Sequence, residues 1–127
     1  MAHHDLADAV DVGIANFETF LEKTAPYRRA LREAEYGSLS DRAFLRSISP
    51  IHKVDRIRAP LLIAHGEHDP RVPVGEARQM EAELRRLGRP VETLYFPDEG
   101  HGWKKPENRR KHLETVARFF LEHLGPP

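Results

Sequence analysis

Residues 61–73 read L-L-I-A-H-G-E-H-D-P-R-V-P, an unbroken apolar run followed by a polar turn, and this stretch decides the fold. Leu61, Leu62, Ile63 and Ala64 have no polar residue between them, which is the pattern of a strand buried on both faces, as strands are in a parallel sheet covered by helices. The turn over residues 65–73, H-G-E-H-D-P-R-V-P, sets Asp69 just past the carboxyl end of that strand. On an open α/β sheet this is the edge at which ligands bind and chemistry is built.

Toward the C-terminus, Val74, Ala77, Met80, Leu84 and Leu87 fall on one helical stripe that Gly88 closes. Residues 91–96, V-E-T-L-Y-F, read as the next strand. A loop containing D-E-G-H-G at residues 98–102 leads to a last helix, expected to turn Leu113, Val116, Ala117, Phe120 and Leu124 inward. Toward the N-terminus, residues 9–14, A-V-D-V-G-I, place Val10, Val12 and Ile14 on one side at period two and predict a first strand.

Between these strands lies a helical excursion. Asn16 is placed to cap a helix bearing Phe17, Phe20 and Leu21, and T-A-P at residues 24–26 breaks it and starts another, with Tyr27, Ala30, Leu31 and Ala34 as its stripe and Gly37 as its end. Ser40 is expected to cap a third helix carrying Phe44, Leu45 and Ile48, which stops at Ser49-Pro50 because a residue before proline is pushed out of the helical region. The order strand, helices, strand, helix, strand, helix is that of an α/β protein with parallel strands and right-handed crossovers. The 127 residues correspond to one domain.

Composition narrows the partners. Lys plus Arg and Asp plus Glu each number 20, so the formal charge is zero, and nothing electrostatic points to nucleic acid or an anionic membrane. There is no cysteine, which excludes disulfides, thiolate chemistry and cysteine-based metal sites. No stretch is long and apolar enough for a membrane span, and M-A-H-H-D-L-A-D-A-V lacks the basic start and apolar run of a secretory signal. A cytoplasmic location is the expectation.

Neighbouring parallel strands lie about 4.8 Å apart and end at the same edge of the sheet, so the loops carrying Asp69 and His101 emerge side by side. A carboxylate that accepts the Nδ1 proton of an imidazole holds the ring with Nε2 free to take a proton from a nucleophile. Gly100 and Gly102 permit a sharp turn around His101. Asp98 and Glu99 read as groups that shape this loop, Arg71 as a structural cation for a nearby carboxylate, and Trp103 either as a pocket wall or as an anchor for the loop. A metal cluster of His65, His68, Asp69 and His101 is disfavoured, because H-x-x-H-D on a turn lacks the helical i, i+4 geometry of H-E-x-x-H.

The stretch H-G-E-H-D-P-R-V-P, followed a helix and a strand later by F-P-D-E-G-H-G-W, resembles the C-terminal part of the α/β-hydrolase domain of prolyl oligopeptidase family serine peptidases. T-A-P-Y-R-R, E-A-E-Y-G-S-L, S-P-I-H-K-V-D-R-I-R-A-P and K-P-E-N-R are similar as well, most of all to the acylaminoacyl-peptidase and dipeptidyl aminopeptidase branch. The resemblance implies the C-terminal half of an α/β-hydrolase fold, about three parallel strands with flanking helices, spanning residues 1–127. It makes Asp69 the triad aspartate and His101 the general base, with a peptide substrate in the intact enzyme and no cofactor.

The family's serine sits in a G-x-S-x-G elbow between a strand and a helix. Ser38, Ser40, Ser47 and Ser49 are the serines of this chain, and none has glycines at the flanking positions. The loop that donates one oxyanion-hole N–H, the upstream strands and the β-propeller of many members have no counterpart in these residues either. Two expectations follow. The chain works only with a serine-bearing half, or its first strand offers an open edge for self-association or for that half.

Overall fold

The computed structural model describes residues 8–11 and 13–124. Strands β1 (Asp8–Asp11), β2 (Leu61–Gly66) and β3 (Val91–Phe96) form one parallel sheet in the order β1-β2-β3. Helices α1 (Phe17–Lys23), α2 (Pro26–Tyr36) and α3 (Arg42–Ile48), then a 3-10 helix (Pro50–Arg56), join β1 to β2. Helix α4 (Val74–Arg86) joins β2 to β3, and α5 (Pro106–Leu124) follows β3.

The middle strand carries the architecture. All six residues of β2 are buried, as expected for a strand paired on both sides and covered by helices. Leu61 and Ile63 turn toward α4 and pack with Ala77 and Leu84, while Val54 of the 3-10 helix completes that cluster. Each of these large apolar side chains contributes about 1.5–3 kcal/mol by leaving water. On the sheet's other side α5 lies against β2, with Thr115 and Phe119 buried.

The helical excursion builds a second core at the carboxyl edge of the sheet. Phe20, Leu21 and Leu45 pack with Val72, so α1 and α3 close on the turn that follows β2. Asn16 caps α1 by accepting from Glu18 N and Thr19 N. The buried Glu76 of α4 accepts from Ala15 N at 3.2 Å, Asn16 N at 2.8 Å and Thr19 Oγ1 at 2.7 Å, which ties α4 to the start of α1. A buried carboxylate with this many donors satisfies groups that would otherwise stand unpaired.

Several expectations are corrected here. β1 ends at Asp11 rather than continuing to residue 14, and Ile14 packs against the second core instead of extending the strand; Val12 lies outside the described residues. Asp41, not Ser40, caps α3, its carboxylate accepting from Phe44 N. The stripe expected to face inward from α2 is turned to solvent: Tyr27, Ala30, Leu31 and Ala34 are all exposed. On α5 the buried line runs through Thr115 and Phe119, while Leu113, Ala117 and Leu124 of the expected face are exposed.

Candidate active site

Backbone hydrogen bonds lace the two loops at the ends of β2 and β3 together before any side chain is considered. Glu67 N donates to Phe96 O at 2.9 Å and His68 N to Glu99 O at 3.0 Å. Gly66 makes the approach feasible, because a Cβ there would stand 2.1 Å from Gly100 O and 2.5 Å from Glu99 O. Gly102, at φ 122, then turns the chain back with its N–H on Gly100 O at 3.1 Å. That backbone angle belongs to glycine.

This lacing brings the two candidate residues into contact. His101 Nδ1 donates to Asp69 Oδ2 at 2.8 Å. The Asp69 side chain is wholly buried, and its other oxygen accepts from Arg71 N at 2.8 Å and Val72 N at 2.9 Å, so the carboxylate is fixed by its own turn. The His101 side chain retains a third of its exposure. With Nδ1 occupied, Nε2 is the ring nitrogen available to a substrate or nucleophile.

Asp98 and Glu99 shape the loop, as the sequence suggests. Lys105 and then Asn108 bond Asp98 and hold its carboxyl below the usual range; Asn108 and then the Lys105 and Lys104 N–H groups do the same for Glu99. Trp103 lies against Phe96 with ring centroids 4.7 Å apart and against His112 at 5.4 Å, which makes it an anchor between β3 and α5. Arg71 departs from expectation: among the described residues no carboxylate pairs with its guanidinium.

The remaining histidines of the turn go elsewhere. His65 is fully buried, its Nε2 donating to Val72 O at 2.7 Å and standing 3.5 Å from Asp69 Oδ2, while no partner reaches Nδ1. His68 is exposed. Among the described residues no three His, Asp or Glu side chains are grouped to hold a metal ion. Nor does any helix there have the length and apolarity to cross a membrane.

His101 divides two clefts. One, of 520 Å³, is walled by Ile14, Phe17, Phe20, Tyr36 and Val72, with Arg32 and Arg71 as its cations. The other, of 600 Å³, lies over Asp98, Glu99, Lys104 and Lys105 and shares Arg71 with the first. Sequence reasoning missed Arg32, which no motif marks. The four serine hydroxyls are engaged away from His101: Ser38 with Ser40 and Glu33, Ser47 with Phe44 O, and Ser49 with Leu45 O.

A parallel sheet flanked by helices, with a buried carboxylate and a part-exposed imidazole on adjoining strand ends, is a partial α/β-hydrolase domain. The chain belongs to the prolyl oligopeptidase family, whose profile it matches over residues 7–127. It is 33% identical over 120 residues to dipeptidyl aminopeptidase BIII of Pseudoxanthomonas mexicana, covering 90% of this chain and 17% of that protein. It is 35% identical over 121 residues to dipeptidyl peptidase family member 6 of Caenorhabditis elegans, covering 90% of this chain and 16% of that one. A Mycobacterium tuberculosis puromycin-hydrolyzing peptidase superposes with a TM-score of 0.86 at 27% identity, over 96% of this chain and 19% of its own. The chain thus spans about a sixth to a fifth of the length of these relatives.

Proposed function

We propose that this chain supplies the aspartate and histidine of a serine peptidase site, acting on peptide or acyl-peptide bonds once a serine-bearing segment completes the domain. The observation that carries the reading is the 2.8 Å contact from His101 Nδ1 to a fully buried Asp69, with the imidazole left partly open. In such a pair the carboxylate selects the tautomer, Nε2 removes the nucleophile's proton, and the imidazolium formed is stabilised by the carboxylate. The same Nε2 then returns the proton to the leaving amine. The peptidase names of the relatives support the substrate class.

A fluorophosphonate probe tests this. The 127-residue chain alone is expected to show no labelling that depends on His101, because without the nucleophile turnover falls on the order of a millionfold. Joined to a G-x-S-x-G segment from a related peptidase, the serine should label, and His101→Gln should abolish labelling. Labelling of the isolated chain that requires His101, or a joined domain indifferent to His101→Gln, would refute the reading.

A second reading has its own observation. Among the described residues β1 is hydrogen-bonded to β2 and to no other strand, leaving one edge open. That edge suits self-association or addition of a strand from the serine-bearing half. A strictly monomeric chain that also fails to bind such a half would count against it.

A further inference from the structure

We infer that His65 is a positioning residue of the site: through its Nε2–H it holds the turn that aims the Asp69 carboxylate at His101. The inference rests on the proposed peptidase reading, which gives the Asp69–His101 pair its task. By the alternation of a strand, His65 follows Leu61 and Ile63 on the face of β2 that packs against α4. An apolar side chain would serve packing there, yet the position holds an imidazole whose side chain is wholly out of solvent. Its Nδ1 has no partner among the described residues, and a buried nitrogen left unpaired costs stability. What offsets that cost lies at Nε2.

A carbonyl oxygen can only accept, so the 2.7 Å contact with Val72 O puts the proton of His65 on Nε2. Val72 is thereby held at both ends: its N–H donates to Asp69 Oδ1 at 2.9 Å, and its carbonyl accepts from His65. The Val72 side chain sits in the second core, which sets where the turn lies but leaves its peptide planes free to tilt. The bond to the carbonyl removes that freedom and so fixes the direction of the N–H that Asp69 uses. Asp69 Oδ2, which receives His101 Nδ1–H at 2.8 Å, stands 3.5 Å from His65 Nε2, so the carboxylate lies between two imidazoles. His65 lines neither cleft beside His101; it acts through Asp69 and not on substrate.

Substitution at position 65 separates donation from packing. Glutamine sets an NH2 group near the place of Nε2, asparagine is too short to reach Val72 O, and leucine fills the space with no donor. On the 127-residue chain the downfield Nδ1 proton of His101 and the amide exchange of residues 71 and 72 report the geometry without a serine. In His65→Leu and His65→Asn that proton resonance should disappear, and the two amides should exchange about tenfold faster relative to those of β2, as for the loss of one buried hydrogen bond. His65→Gln should keep both signals as in the wild type. In the domain joined to a serine-bearing segment, kcat of His65→Leu should fall about tenfold to a hundredfold with KM little changed, the scale of a small misplacement in a site. Where His65→Leu does not fold, His65→Asn against His65→Gln decides. Leucine and asparagine variants that keep both signals, a glutamine variant no better than asparagine, an unchanged kcat, or a wild-type chain that shows neither signal would overturn the inference. Serine labelling indifferent to His101→Gln, with both signals responding to His65 as expected, condemns the peptidase reading alone.

Discussion

Asp69 accepts three hydrogen bonds on two oxygens, two from its own turn and one from His101. An asparagine at this position keeps one acceptor oxygen and replaces the other with an NH2 group. Whichever way the amide turns, a donor faces either the two backbone N–H groups or His101 Nδ1–H. Because the backbone donors cannot move, the amide should turn its oxygen to them and drive the imidazole into the other tautomer, with its proton on Nε2. In a domain completed by a serine-bearing segment, Asp69→Asn is thus expected to lower kcat by about ten-thousandfold while KM and thermal midpoint change little. A loss of less than tenfold in steady-state kinetics would remove Asp69 from the proposed triad. The pairing of Asp69 with His101 was legible because strand order alone brings two loop ends together. Arg32 was not, since its place beside His101 depends on how α2 packs over α1, and a cation on a helix surface has no sequence signature.

The loops at the ends of β2 and β3 hold these residues, and their fit rests on Gly66. A methyl group there would collide with backbone carbonyl oxygens of residues 99 and 100, which cannot rotate away as a flexible side chain could. Gly66→Ala should cost about 1–3 kcal/mol in urea denaturation, and it should separate His101 from Asp69, seen as loss of the downfield Nδ1 proton resonance; retention of both stability and resonance would show that the loops adjust. Acid should loosen the same loop by another route. Asp98 and Glu99 have folded pKa values below their ordinary ones, so the stability they contribute is complete above the ordinary carboxylate range and is lost as pH falls through the depressed values. Amide exchange at residues 98–105, corrected for its intrinsic pH dependence, should therefore accelerate over that acid interval, and Glu99→Gln should flatten the change; an unaltered profile in the variant would separate Glu99 from the effect. The sequence disclosed these elements better than their orientation. β2, α4 and β3 were legible because each has a single apolar pattern, whereas α5 has apolar residues on nearly opposite faces, and periodicity cannot tell which of them meets the sheet. The end of β1 was obscured in the same way, since Ile14 continues the alternation of a strand while its side chain serves the core beneath α1.

The molecule combines a well-covered central strand with apolar surface that nothing among the described residues covers. Leu113, Leu121 and Leu124 of α5 are 70%, 63% and 51% exposed and share one side of the helix with the exposed Ala117. Single exposed leucines are ordinary, but a line of them along a 19-residue helix is a contiguous surface of the kind that marks an interface. Thr115 and Phe119 already anchor α5 to the sheet, so the leucine line is not needed to hold the helix in place. If the line is an interface, a second copy or the remainder of a hydrolase domain would cover it. The 127-residue chain is accordingly expected to associate reversibly as its concentration rises, and Leu113→Lys with Leu121→Lys should shift sedimentation velocity profiles toward the monomer without lowering the thermal midpoint. If the pair of lysines also prevents a serine-bearing segment from binding, the completed domain uses this face. If it abolishes self-association and leaves that binding intact, the segment joins through the β1 edge instead. Wild-type chain that stays monomeric at every concentration would show that the leucine line is merely solvated.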